Sequence, residues 1–370
     1  MTEKERVKAV FDGRTPDRVP FMLDLSHWYK KNLHVPFDLS GFRGVERGLV
    51  DLHRKLGAVS YVEMGGFYDL APGDPAVRTR SATEDGVFRT EIVTPEGTLT
   101  EERVFNPQSY SYGIRRHLVG GVEDFPAVRR YMESLECTPR WERKRAWEEA
   151  LGDLAFPYVQ LPYSGLGYLI SRNLGVEKTV YAAYDSPDEF RLLVDAVNSC
   201  NLRILDRIID GPFDVLFLSD NLDSNVQSEG LFNAWSRDYY AEVARRLHGR
   251  GKKLAVHVDG EMRGALSWLA RCGVDCIDAA TPAPMFSLTP AQARREAGPD
   301  LILSGGIPAT VFGAAGTDGA FTDAVRRWLD TRLDSPRLIL AAGDQVPPDA
   351  PWSRIEMLPE LIERYGRYGA

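Results

Sequence analysis

The sequence predicts a single (β/α)8 barrel of the TIM type, an α/β fold, with antiparallel β-hairpins inserted after its second strand. Two observations carry this. Eight short apolar runs, each ending in polar residues or glycine, alternate with amphipathic helical stretches. That is the rhythm of parallel strands joined by right-handed crossovers. The 370 residues, 44% hydrophobic and 26% charged, also suit one large barrel. No internal repeat, low-complexity stretch or domain-scale linker divides the chain, so residues 1–370 are expected to form one domain.

The elements follow in order. "MTEKERVKAVFDG" is polar and amphipathic, an expected helix and not a signal peptide. Strand one is expected at Arg18–Asp24 and strand two at Ala58–Met64. Then "AVRTRSATEDGVFRTEIVTPEGTLTEERVF" alternates apolar and polar residues. It carries two turn signals, Glu84-Asp85-Gly86 and Thr94-Pro95-Glu96-Gly97, which place hairpins over about 76–115. Strands three to five are expected at Phe156–Pro162, Phe213–Asn221 and Lys252–Asp259. Strands six to eight are expected at Val274–Ala280, Leu301–Gly306 and Arg337–Asp344. Between them, "RDYYAEVARRLHGRG" and "TDAVRRWLDTRLD" space apolar residues by three and four, the helical period.

Composition narrows the partners. The net charge is -8 and no long basic run is present, so neither nucleic acid nor an anionic membrane is an expected partner. No apolar run reaches membrane-spanning length. The four cysteines, Cys137, Cys200, Cys272 and Cys276, are sparse and irregular, which fits a reducing compartment and an expected cytoplasmic location. The expected partner is a small-molecule substrate. An acidic one would need a local cluster of Arg or Lys against the overall charge.

In such barrels the chemistry sits at the carboxyl ends of the strands. Strand one ends in Asp24, followed by Ser26, His27, Trp28 and Tyr29; strand two carries Glu63; strand three leads to Tyr163. Strand four ends in Ser219, Asp220 and Asn221, with Gln227 just beyond. Strand five supplies His257 and Asp259, strand six Asp278, strand seven Ser304 and strand eight Asp344. In "KKLAVHVDG", Val256 and Val258 alternate with His257 and Asp259, so the polar pair shares one strand face. An aspartate beside a histidine can orient the ring and raise its basicity, or both can ligate one metal ion. Asp24 and Asp278 read more simply as helix caps or turn closers. Asp344 can reach His257 only across the barrel mouth, because strand eight lies beside strand one. Aromatic residues including Trp28 and Tyr163 could stack on an apolar or aromatic substrate.

Several stretches together resemble the uroporphyrinogen decarboxylase superfamily: "ERVKAVFDGRTPDRVPFM", "GKKLAVHVDG" with "LARCGVDCID", "GPDLILSGGIP" and "LILAAGDQVPPDAPWSRIEML". They run over nearly the whole chain in the family's order. The resemblance implies a (β/α)8 barrel with its active site at the mouth, and family habit implies a homo-oligomer.

The superfamily holds at least two chemistries. Its decarboxylases carry an Arg-Gln-Ala-Gly-Arg-Tyr stretch after strand one, whose arginines bind many carboxylates. Here that region reads "LDLSHWYKKNLHVP", with Lys30 and Lys31 and no arginine. Their aspartate after strand two is matched by Glu63, and their C-terminal histidine region reads "AAGDQV". A polyanion needs fixed positive charge, preferably Arg forks, so porphyrin decarboxylation is not the leading expectation. The other branch, the corrinoid-linked methyltransferases, holds zinc with a His-x-Cys pair on strand five and a cysteine after strand eight. Here those positions are His257, Asp259 and Asp344, a harder ligand set that would hold zinc or iron, or act as acid and base with no metal.

The resemblance therefore implies a methyltransferase or demethylase, moving a methyl group from a small O- or N-methyl substrate to a corrinoid on a partner protein. "DLHRKLG" (Asp51–Gly57) is near a cobalt-ligating signature, but its glycine falls one residue late in a helical stretch. His257, Asp259, Asp344 and Glu63 are the expected catalytic set. Asp24, Trp28, Tyr163, Asp220, Asn221, Gln227 and Ser304 are the expected substrate contacts. The alternatives are a carboxy-lyase acting on a porphyrin or smaller acid, with Asp24, Glu63 or His257 as proton donor, and a non-catalytic ligand-binding barrel.

Overall fold

Proline and glycine decide where the apolar runs become regular strands. The computed structural model describes residues 1–36, 44–61 and 66–369. Its strands are β1 (Tyr68–Pro72), β2 (Arg78–Glu84), β3 (Val87–Thr94), β4 (Gly97–Asn106), β5 (Ser111–Arg116) and β6 (Leu135–Pro139). Then come β7 (Val159–Leu161), β8 (Val215–Leu218), β9 (Lys253–His257), β10 (Cys276–Ala280), β11 (Ile302–Ile307) and β12 (Leu338–Ala342).

The last six strands form one parallel sheet in the order β12-β11-β10-β9-β8-β7. They match expected strands three to eight. Every residue of β8, β10, β11 and β12 is buried, as parallel strands covered on both faces require.

Among the described residues the regular sheet has six strands against the eight expected, and residues 62–64 of expected strand two lie outside the described residues. Expected strands one and two make only isolated parallel bridges, Phe21 to Leu340, Met22 to Val59 and Ser60 to Ala155. Proline is the physical reason. Pro20 accepts from Leu340 through its carbonyl but has no N–H to return. Pro157 likewise interrupts donation between Phe156, which bonds Ser60, and Tyr158, which bonds Tyr61. The two segments nonetheless hydrogen-bond to each other and to both edges of the sheet: Met22 N to Leu340 O at 3.0 Å, Val59 N to Phe21 O at 2.9 Å, and Phe156 N to Ser60 O at 3.0 Å.

A separate core cluster takes at least one side chain from each expected strand, among them Met22, Val59, Phe156, Val215, Ala255, Cys276, Ile302 and Ile339. The helix Glu3–Phe11, begun by a Thr2–Glu5 capping box, closes one end with Val7, Val10 and Phe11. Side chains two residues apart on a strand face the same side. The next inward layer is therefore Asp24, Tyr61, Phe217, His257 and Asp278. This layer meets solvent on the side away from the helix plug.

The expected hairpins appear as a four-stranded antiparallel sheet, β2-β3-β4-β5. Asp85 (φ 51) and Gly86 (φ 76) make its first turn, the left-handed pair that matches strand twist in a two-residue loop. A two-stranded ribbon, β1 against β6, was not expected from the sequence. No helix among the described residues is long and apolar enough to cross a membrane.

Candidate active site

A cavity of about 370 Å³ opens at the carboxyl ends of the parallel strands. Asp24, Tyr61, Phe217, His257 and Asp278 line it from the inward strand positions. Gln160, Tyr163, Arg172, Ser219, Asn221, Asp344 and Gln345 complete the wall.

His257 is the centre of the charge arrangement. It is the last residue of β9, in register with Asp278 on β10. Its Nδ1 lies 3.3 Å from Asp278 Oδ2, and its Nε2 lies 3.7 Å from Asp344 Oδ1. Burial opposes a charge on the ring, but the Asp278 hydrogen bond and the charges of Asp344, Asp278 and Asp259 outweigh it. The imidazolium is raised to about 9 and is protonated at neutral pH. Asp344 moves up to about 6; its surroundings disfavour the anion, His257 favours it, and Asp259, Asp24 and Asp278 repel it. Its side chain keeps 42% of its surface open, so it meets water within the cavity.

Local backbone devices build this pair. Asp278 is followed by Ala279 in the left-handed region (φ 65), where β10 slips register against β11 between Ile277 and Ala280. A bulge of this kind re-aims a strand-end side chain. Gly305 makes room for it: a Cβ there would lie 2.4 Å from the Ala280 carbonyl oxygen. Asp344 crosses the mouth because the chain after β12 arches over, with Gly343 N bonded to Ile307 O and Val346 N bonded to Asp24 O. Tyr163 OH donates to Asn221 Oδ1 at 3.4 Å. Asn221 itself takes a left-handed φ of 46, which asparagine tolerates better than most residues.

Other expected site residues stand elsewhere. Asp259 lies past the end of β9 and is exposed, so the carboxylate on the His257 ring is Asp278. Asp24 both lines the cavity and accepts from Ser26 N at 2.8 Å, closing the turn into the helix Ser26–Asn32. Asp220 is fully buried and holds loops together, accepting from Ser164 N at 2.5 Å and from Tyr240 OH. Trp28 packs on Trp352 with Nε1 bonded to Ala350 O. Gln227 and Ser304 are buried and do not line the cavity. Glu63 lies outside the described residues.

Two cavity residues carry more than the sequence reading gave them: Asp278, read as a cap or turn closer, and Arg172, not singled out. The role of Asp278 was visible only by aligning "LAVH" of β9 on "DCID" of β10, which puts His257 and Asp278 side by side. Arg172 gives no strand-end signal, because it sits in a helical turn after Tyr163.

Of the expected ligand set, His257 and Asp344 line the cavity and Asp259 lies past the end of β9. Among the described residues no three His, Cys, Asp or Glu side chains gather to hold an ion. Asp278 on Nδ1 would fix the ring's orientation whether Nε2 carries a proton or faces an ion.

A cavity at strand ends, walled by a charged histidine and carboxylates, defines an α/β protein with a site suited to acid–base chemistry. The uroporphyrinogen decarboxylase (URO-D) family matches residues 159–365, from β7 to the final helix. The chain belongs to that family. A methyltransferase from Methanosarcina mazei has a similar structure, with TM-score 0.63, 99% of each chain covered and 13% identity; at that identity the likeness is one of fold. No match was found among curated proteins.

Proposed function

We propose that this chain is a methyltransferase or demethylase of the corrinoid-linked type, acting on a small O- or N-methyl compound with His257 as proton donor. In this reading the two bridging segments complete a (β/α)8 barrel around the cavity. The observation that carries the proposal is the ring of His257 held between Asp278 and Asp344, charged at neutral pH. When a methyl group leaves an ether or amine, the heteroatom keeps the electron pair of the broken bond. A proton delivered to it makes a neutral leaving group. His257 supplies that proton, and Tyr163 and Asn221 orient the molecule. The methyl group passes to a nucleophile, expected on a corrinoid partner protein. His53, in the stretch nearest a corrinoid signature, is buried with Nδ1 on Ala58 O, so it is not presented as a cobalt ligand.

Carboxylate loss is the second reading. Family membership and Arg172 in the cavity wall favour it. There His257 would protonate the carbon left as carbon dioxide departs.

The test is turnover of O-methyl, N-methyl and carboxylate compounds with free cob(I)alamin as acceptor. Methylcobalamin is followed by absorbance, and labelled carbon dioxide by release. Methylcobalamin formation supports the first reading and carbon dioxide release the second. His257→Gln should lower kcat by roughly 10²- to 10⁴-fold with little change in KM. Wild-type turnover in that variant overturns both.

A further inference from the structure

Proton donation leaves Arg172 unexplained. It lies in Leu169–Asn173, a single π-helical turn after the helix Gly165–Tyr168. Such turns occur frequently at functional sites. The turn is braced on its outer side. The carbonyl of Arg172 faces His117 Nδ1 at 3.3 Å, and that of Asn173 accepts from Val119 N at 2.9 Å. The side chain enters the cavity wall, with its guanidinium 5.9 Å from the centre of the Tyr163 ring.

No carboxylate among the described residues pairs with Arg172. Arg103, by contrast, is neutralised by Glu101 at 2.7 Å. A partly buried guanidinium with an aromatic ring beside it and no carboxylate has lost hydration without gaining a charge partner. A ligand anion would supply what is missing, through two parallel hydrogen bonds. The rest of the wall limits how much negative charge can enter. Asp24, Asp278 and Asp344 also face the cavity, and Asp278 Oδ1 is buried without a hydrogen-bond donor. Among the described lining residues two cations, Arg172 and His257, stand against three carboxylates. One anionic group fits at Arg172, while a molecule with several would meet repulsion. The volume, about 370 Å³, is near the small end of the range for ligand sites, roughly 300–1,000 Å³.

We propose that Arg172 anchors the single carboxylate of a small monoanionic substrate, leaving the rest of that molecule to reach His257. The proposal rests on the cavity being the substrate site of the function proposed above. It names the substrate class and turns Arg172 into a specificity residue.

The experiment measures binding, not turnover, by calorimetry on the full chain at neutral pH. The probes are matched pairs: methoxyacetate with 2-methoxyethanol, 4-methoxybenzoate with 4-methoxybenzyl alcohol, and benzoate with benzyl alcohol. Wild type should bind at least one carboxylate roughly ten- to a hundredfold more tightly than its neutral partner. Arg172→Met should remove that preference, and Arg172→Lys should restore part of it, because lysine keeps the charge but not the fork. Equal binding of the two members in wild type, no binding of any carboxylate, or an intact preference in Arg172→Met overturns the proposal. The wild-type comparison decides even if a variant fails to fold. Turnover of a neutral methyl ether with no carboxylate preference would sink this inference and leave the function standing. Arg172-dependent binding with neither methyl transfer nor carbon dioxide release would do the reverse.

Discussion

Asp278→Asn removes one jaw of the clamp on His257 while keeping the shape of the side chain. At the 3.3 Å separation of Nδ1 and Oδ2, the charge interaction is about 1 kcal/mol with full water screening. It is about 5 kcal/mol at an effective dielectric near 20. That range spans roughly one to four pKa units. Burial acts on the ring in the opposite sense and remains after the substitution. The imidazolium, raised to about 9 in the wild type, should therefore fall by that much, to between about 8 and about 5. The assay is a pH titration of ¹³C-labelled imidazole resonances, with His257 assigned by its loss in His257→Gln. Stability should follow. A histidine raised above its ordinary 6.5 contributes fully below that pH, and the contribution is lost as pH rises through about 9. Wild type should therefore lose up to about 3 kcal/mol across that window relative to His257→Gln. A ring that titrates near its wild-type value in Asp278→Asn refutes the clamp. So does a wild-type ring that titrates at an ordinary value.

Other outcomes follow from the same geometry. Asp220→Ala strands the buried Ser164 N–H and Tyr240 OH, so thermal unfolding should show a loss of about 3 kcal/mol or more; the folded fraction should keep its substrate affinity. Gly305→Ala forces a Cβ against backbone atoms of Ala280 in a φ of 141. It should cost about 1–3 kcal/mol and move the His257 titration by displacing Asp278; an unchanged melting temperature would contradict the bulge. Chelator treatment should leave the melting temperature and any turnover unchanged. Elemental analysis showing about one zinc or iron per chain, lost in both His257→Ala and Asp259→Ala, would instead support the metal reading.

The sequence made the parallel sheet legible because β8 to β12 are short, apolar and ended by polar residues. The hairpin sheet was legible because Asp85-Gly86 is a turn by backbone necessity. Strand one and the described part of strand two turn apolar residues to the core yet make only bridges, since Pro20 and Pro157 interrupt the ladder. At the site, His257 and Asp344 stood out by position, and the arch after β12 supplies the convergence their contact needs. Asp259 drew attention because alternation was carried past the end of β9. The true partner lies one strand over, and such neighbours are joined by register, which a single strand does not display. Arg172 stayed hidden because a π turn has no periodic signature in one sequence.

The proline gaps have a mechanical consequence. Five residue pairs hold β11 to β12 in continuous register, whereas only isolated bridges hold Pro20–Leu23 and Val59–Tyr61. The hydrogen-bonded wall is thinnest there, and thin ladders open first when a structure breathes. Asp24 and Tyr61 sit on that seam, while His257 and Asp278 sit on the continuous sheet. The cavity thus has a stiff wall that holds the proton donor and a softer wall opposite in character. A molecule slightly too large would be admitted by yielding at Asp24 and Tyr61, with the acid left in place.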